Sequence, residues 1–132
     1  MINAIKEVIE KESEVLFTYL YGSSVYHDEV FGNDIDIAVY LRTLDMMGYL
    51  NKEEELTAAL VTNLRNERID LRILNVSPFL IQYNVIKEGI PIFVRDELER
   101  VGFEIMVMNR FFELKPYLNE YRQMLSLRIR SG

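Results

Sequence analysis

The 132-residue chain has no cysteine and a single histidine. Disulfides and thiolate metal sites are therefore excluded, and carboxylates are left as the obvious metal ligands. It lacks any run of about 18 apolar residues, so no segment reads as a membrane span. Repeats, low-complexity tracts and Gly/Pro/Ser-rich linkers are also missing, and the length suits one compact domain over 1–132. Basic residues are in the minority, 15 Lys and Arg against 21 Asp and Glu, for a net charge of −6. That balance argues against direct nucleic-acid binding, although an acidic protein can handle a polyphosphate when divalent cations stand between them. The opening MINAIKEVIEKE is charged and amphipathic with no apolar h-region, so a cytoplasmic rather than secreted protein is expected.

What is present is ordinary globular composition, 49% apolar and 27% charged. Ile2, Ile5 and Ile9 predict a first amphipathic helix over about 2–12. EVLFTYLY, 14–21, is apolar on both faces and reads as a buried central strand that stops at Gly22-Ser23. DIDIAVYL, 34–41, alternates: Ile35, Ile37 and Val39 point one way, Asp34, Asp36 and Ala38 the other. A helix follows, with Asn51 as its N-cap, Glu54 three residues on, and Leu56, Leu60 and Leu64 along one stripe. RIDLRIL, 68–74, is a third strand that turns Ile69, Leu71 and Ile73 inward, opposite Arg68, Asp70 and Arg72.

Ser77 as N-cap, Pro78 at the first helical position and Gly89 beyond the end bracket a helix over 78–88. Ile92–Val94 is a short strand placed near an edge by Pro91. Leu98, Val101, Ile105, Met108 and Phe112 alternate by three and four and predict a helix over about 97–113. Pro116 is expected to interrupt it before a final helix over 117–130. The expected architecture is an α/β sandwich around a small sheet, its core spanning about 1–96 and its C-terminal helices about 97–132.

Chemistry concentrates in a few positions. Asp34 and Asp36, at i and i+2 on a strand, project from one face a few ångströms apart. Two such carboxylates repel, and a fold tolerates them best with a cation between them. With no Cys or His beside them they suit a hard ion, Mg²⁺ or Mn²⁺. Asp70 has the same setting, and if its strand lies beside the first, three carboxylates without a basic partner converge at one sheet end. That is the usual protein contribution to a two-metal site for in-line phosphoryl or nucleotidyl displacement. Gly22-Ser23 supplies a place for the triphosphate, since glycine admits close backbone approach while the Ser23 hydroxyl and neighbouring N–H groups donate.

Gly22-Ser23, ten residues, Asp34-Ile35-Asp36 and a later Asp70 resemble the signature of the DNA polymerase beta nucleotidyltransferase superfamily. The whole chain is similar to the minimal nucleotidyltransferase (MNT) family, the antitoxin half of HEPN/MNT toxin–antitoxin pairs. SPFLIQYNVIKEGIPIFVRD and FFELKPYLNEYRQML extend that resemblance into the second half. It implies the polymerase beta-like nucleotidyltransferase fold, a small mixed sheet packed with helices, and a C-terminal helical arm. It further implies that Gly22 and Ser23 contact the triphosphate of ATP, that Asp34 and Asp36 bind Mg²⁺, and that Asp70 joins the metal site and helps activate the acceptor hydroxyl. The resemblance also implies that the acceptor is a tyrosine of the cognate HEPN toxin, an all-helical partner, and that the group transferred is AMP. Ser24 and Asn33 depart from the Arg and Ser of many relatives, the first removing a phosphate contact.

Two rivals stand beside this expectation: an antitoxin that neutralises its partner by binding alone, and a small-molecule nucleotidyltransferase, a class that usually carries an extra substrate domain, which is not expected in these 132 residues. Self-association and assembly with the toxin both stay open. Arg68 and Arg72 are placed to neutralise phosphate charge, though an exposed strand arginine is ordinarily just solvated. His27, in a polar loop, is expected in solvent, and Phe103, Phe111, Phe112, Tyr117 and Tyr121 are read as core before partner surface. The arm beyond residue 113 is expected to matter for a partner more than for catalysis.

Overall fold

The computed structural model describes residues 1–22, 25 and 34–131. Helix α1 (Ile2–Glu10) leads into strand β1 (Val15–Tyr21), then β2 (Ile35–Leu41), α2 (Met46–Leu64) and β3 (Ile69–Ile73). A short 3₁₀ turn (Leu74–Val76), α3 (Phe79–Glu88), β4 (Ile90–Val94) and α4 (Glu97–Ser131) complete the chain. The strands form one mixed sheet in the order β3-β2-β1-β4. β1 runs antiparallel to both β2 and β4, whereas β2 and β3 are parallel. No helix among the described residues is long and apolar enough to cross a membrane.

The sheet is covered on both faces. Ile5 and Ile9 of α1 and Leu56, Leu60 and Leu64 of α2 pack on Ile35, Ile37, Val39, Leu71 and Ile73. Val85 of α3 and Phe103 and Val107 of α4 cover Phe17, Tyr19 and Ala38 on the opposite face. β1 is buried on both faces, as a strand apolar on both sides predicts, and Thr18 within it is buried too. An irregularity between Val15 and Phe17 breaks its alternation, so that Leu16 and Phe17 join the same cluster.

Several helix ends differ from expectation. α2 begins at Met46, because Asp45, not Asn51, is its cap: the Asp45 carboxylate accepts from the Gly48 N–H at 2.7 Å. Ser77 does not cap α3; its hydroxyl donates to the Ile73 carbonyl at 2.8 Å, and Pro78 holds the N-cap position in extended conformation. Gly89 ends α3 with φ −83°, so its small size rather than a left-handed turn matters: a Cβ would lie 2.4 Å from the Val85 carbonyl.

α4 differs most. The two predicted C-terminal helices are one, which runs through Pro116. Proline's fixed φ is itself helical; what is lost is one backbone hydrogen bond, to the carbonyl of Phe112, a residue that is itself exposed. The face that meets the sheet is not the predicted stripe. Phe103, with its ring 5.7 Å from Phe17 and 5.0 Å from Tyr40, and Val107 are buried. Leu98, Val101, Ile105 and Phe112 point away and are exposed, as are Tyr117 and Tyr121. The helix is apolar on two sides, and the aromatic packing of Phe103 decides which side faces inward.

Candidate active site

Parallel pairing of β2 with β3 sets Ile35 opposite Ile69 and Asp36 opposite Asp70. Strand alternation turns the isoleucines into the core and both aspartates to the other face, side by side on hydrogen-bonded strands. Asp34 stands just before β2, where the Ile35 N–H donates to the Arg68 carbonyl at 2.9 Å and keeps the strand entry in register. Asp34, Asp36, Arg68, Ile69 and Asp70 line one open depression of about 370 Å³. A larger one, about 480 Å³, lies at the β4 edge between α1 and α4, away from these aspartates.

Asp36 is the most enclosed of the three carboxylates. Burial pushes its carboxyl above the usual range, the charges of Asp70 and Asp34 add to the rise, and Arg72 opposes it. The expectation of carboxylates without basic partners is not met. Arg68 lies 4.0 Å from Asp34 and Arg72 3.8 Å from Asp70, both pairs well exposed. Such pairs are worth little in stability, so they lean on the carboxylates without locking them.

Gly22 caps the arrangement from the neighbouring strand. Tyr21, at the end of β1, is the cross-strand partner of Asp36. Gly22 follows in the left-handed region, φ +65°, and a Cβ there would stand 2.5 Å from Asp36 Oδ2. Two properties of glycine are therefore used at once: tolerance of positive φ and absence of a side chain where the carboxylate lies. Tyr21 itself belongs to the cluster. Its phenol is raised by burial and by Asp70 and Asp36, with Arg72 opposing both by charge and by hydrogen bonding. Tyr21 is absent from the residues that the sequence motif singles out; its place directly before Gly22, at the end of the strand paired with β2, is the signal that points to it. Ser23, with Ser24, His27 and Asn33, lies outside the described residues.

The donor set is oxygen-only, the chemistry of a hard divalent cation. Among the described residues no three such side chains already converge on one metal-holding point, since Asp34 and Asp70 lean toward the arginines. The strands nevertheless place Asp36 beside Asp70, and the Asp34 and Asp70 side chains are exposed. The residues fit such an ion in chemistry and in backbone placement. What the arrangement can do is hold cations against a polyphosphate and accept a proton beside them.

The family described as polymerase beta nucleotidyltransferase matches residues 3–98. No curated protein matches significantly. Solved structures match over nearly the whole chain. A mutant of the toxin–antitoxin MntA–HpeT aligns with TM-score 0.73 at 19% identity, covering 96% of this chain and 98% of that one. A toxin–antitoxin with AMP-PNP aligns with TM-score 0.72 at 20% identity, covering 95% and 98%. A tri-AMPylated Shewanella oneidensis HEPN toxin in complex with MNT antitoxin aligns with TM-score 0.69 at 20% identity, covering 96% and 99%. At this identity the likeness is one of fold, and it extends through the C-terminal helix.

Proposed function

The chain belongs to the polymerase beta nucleotidyltransferase family, and from that premise we propose that it is the antitoxin of a HEPN toxin, transferring AMP from ATP to a toxin tyrosine hydroxyl. The observation that carries this reading is the register of β2 with β3, which pairs Asp36 with Asp70, puts Asp34 at the same mouth and seats Gly22 against Asp36. Two solved relatives of the same fold agree with it: one holds AMP-PNP and another is a tri-AMPylated HEPN toxin with its MNT antitoxin.

Asp34, Asp36 and Asp70 would hold divalent cations, Mg²⁺ by their oxygen donors. Bound there, such ions supply neutralisation of the triphosphate and polarisation of the α-phosphoryl group. Gly22, without a Cβ, leaves room for phosphate close to the backbone, and Ser23 adds a hydroxyl donor. Arg68 and Arg72, at the rim of the carboxylates, lie where anionic oxygens enter and draw the triphosphate in. The tyrosine oxygen forms a bond to the α-phosphorus as the bond from that phosphorus to the β-phosphate oxygen breaks. The tyrosine proton passes to Asp70, and pyrophosphate leaves.

Intact-mass spectrometry of the toxin tests this. Incubation of the chain with Mg-ATP and a cognate HEPN protein is expected to add one or more adenylates to the toxin and to release equivalent pyrophosphate. If the toxin is neutralised with its mass unchanged, and Asp36→Asn neutralises it equally well, the protein is an antitoxin by binding alone.

A further inference from the structure

The sheet-facing stripe of α4 outlasts the sheet. Phe103, Val107, Phe111, Leu114, Leu118, Tyr121 and Leu125 follow one another by three or four residues and lie within an arc of about 80° on the helix. Toward the C-terminal end of that stripe burial is lost. Phe103 and Val107 are 4% and 0% exposed, Phe111, Leu114 and Leu118 are half-buried, and Tyr121 and Leu125 reach 61% and 40%. The ring of Phe111, stacked on Tyr83 of α3 at 4.1 Å, marks where the body of the domain ends. Beyond it the helix continues to Ser131, about 30 Å, with Met124 and Leu127 also exposed. A lone helical stretch of this length, with a proline near its start, is marginal in water, and helices gain their stability by burying an apolar face. This one carries such a face with nothing of its own chain upon it among the described residues.

Charge narrows what can cover it. Residues 114–132 hold Lys115, Arg122, Arg128 and Arg130 against the single acid Glu120, a net charge of +3. The whole chain carries −6, so residues 1–113 carry −9. Neither Lys115 nor Arg122 forms an ion pair among the described residues. Two such arms laid together would set +3 against +3, so pairing with the arm of a second copy is opposed by charge. A nucleic-acid backbone would satisfy the charge but leave the apolar stripe in water. A protein groove between helices, apolar along its floor and acidic along its rim, satisfies both, because ridges of side chains spaced by three and four seat between the ridges of another helical surface.

Resting on the toxin–antitoxin reading above, we infer that the stripe Leu118, Tyr121 and Leu125, with Arg122 beside it, docks into an acidic groove of the HEPN toxin. The arm thereby holds the acceptor protein while the distant aspartates act on its tyrosine. Tyr121 supplies the large amphipathic anchor of the contact, Leu118 and Leu125 its apolar flanks, and Arg122 the steering charge.

The test is a titration of the full chain with the purified toxin, by calorimetry, in wild type, Tyr121→Glu/Leu125→Glu and Arg122→Glu. Both replaced side chains in the double variant are exposed, so helicity by circular dichroism and affinity for Mg-ATP are expected to stay at the wild-type level. Toxin affinity is expected to fall at least about 100-fold in the double variant. For Arg122→Glu a loss of about 10-fold is expected, together with a weaker dependence of association on salt. If helicity falls in the double variant, Leu125→Asn alone carries the same test, with an expected loss of about 10-fold. Undiminished capture of the toxin by these variants would overturn the arm's role while leaving the transferase reading intact. Failure of the wild type to bind the toxin would overturn both. Light scattering that shows wild-type dimers and a monomeric double variant would assign the stripe to a second copy. Loss of binding to a single-stranded RNA, with toxin capture unchanged, would assign it to nucleic acid.

Discussion

The β2–β3 end of the sheet and the far half of α4 present opposite surfaces. At the first, acidic side chains stand on two rigid, hydrogen-bonded strands whose other face is core, and Asp36 is half-enclosed against its own kind. At the second, apolar and basic side chains stand on a single helix that has left the core behind. Carboxylates need a rigid base, because geometry at a reacting centre must hold within a fraction of an ångström while repulsion pushes the groups apart. A docking stripe needs reach and area instead, and a projecting helix supplies both. On the proposed reading, chemistry and recognition in this chain are separable, and each is expected to break while the other survives.

The largest expected effect breaks the sheet end alone. Asp36→Asn removes the central charge and one ligand, and transfer to the toxin is expected to fall by about 1,000-fold or more. Toxin affinity should be unchanged, because the arm is untouched. Pyrophosphate release and calorimetry, run on the same preparation, check the two halves of that statement, and parallel losses would show that the regions are coupled.

Gly22 gives the next effect. Gly22→Ala must place a β-carbon at positive φ, costing about 1–2 kcal/mol, and must displace the Asp36 carboxylate that lies 2.5 Å from that position. A lower Tm and a loss of transfer on the order of 100-fold are expected. Gly22→Asn separates the causes, since asparagine tolerates the left-handed region but still carries a Cβ. Its Tm should recover toward wild type while its activity stays low; recovery of both would mean that strain, not the collision with Asp36, makes glycine necessary.

The smallest effect concerns pH. Burial, Asp70 and Asp34 hold the Asp36 carboxyl above its ordinary value, so the folded protein binds this proton more readily than the unfolded chain. Stability from this group is therefore greatest below the unfolded value and is lost as pH rises through the folded one. Asp36→Asn should be slightly more stable than wild type near neutrality, and the gap should close on acidification. Thermal melts across pH 3–7 are the check, and a gap that widens toward low pH would contradict the direction of the shift.

Much of the site was legible because it rests on local rules. Alternation along 34–37 and 69–73 separates Asp34, Asp36 and Asp70 from the isoleucines and leucine between them, whatever the rest of the chain does. Gly22 was legible as a backbone that must come close to something. That the something is Asp36 was not, because the contact crosses from β1 to β2 and depends on register. The arginine partners were legible only as residues on the same face as Asp70; their reach back to Asp70 and across to Asp34 is a matter of side-chain geometry. Ends of helices were misplaced where capping groups competed: Asp45 lies before a glycine that weakens the helical pattern, and Ser77 turns its hydroxyl back to the Ile73 carbonyl.

The sequence by itself determined which residues are polar on each strand, that no thiol is present among the 132 residues, and that the last quarter of the chain is helical. Only the tertiary structure decided that β3 lies parallel beside β2, so that Asp36 and Asp70 meet, and that α4 is one helix through Pro116. It also decided which of two apolar stripes on α4 is core. Leu98, Val101, Ile105, Met108 and Phe112 satisfy the helical period as well as Phe103, Val107 and Phe111 do. The period tells that a face is apolar, whereas the choice between two such faces is made by what the sheet offers, here the rings of Phe17 and Tyr40, which Phe103 meets.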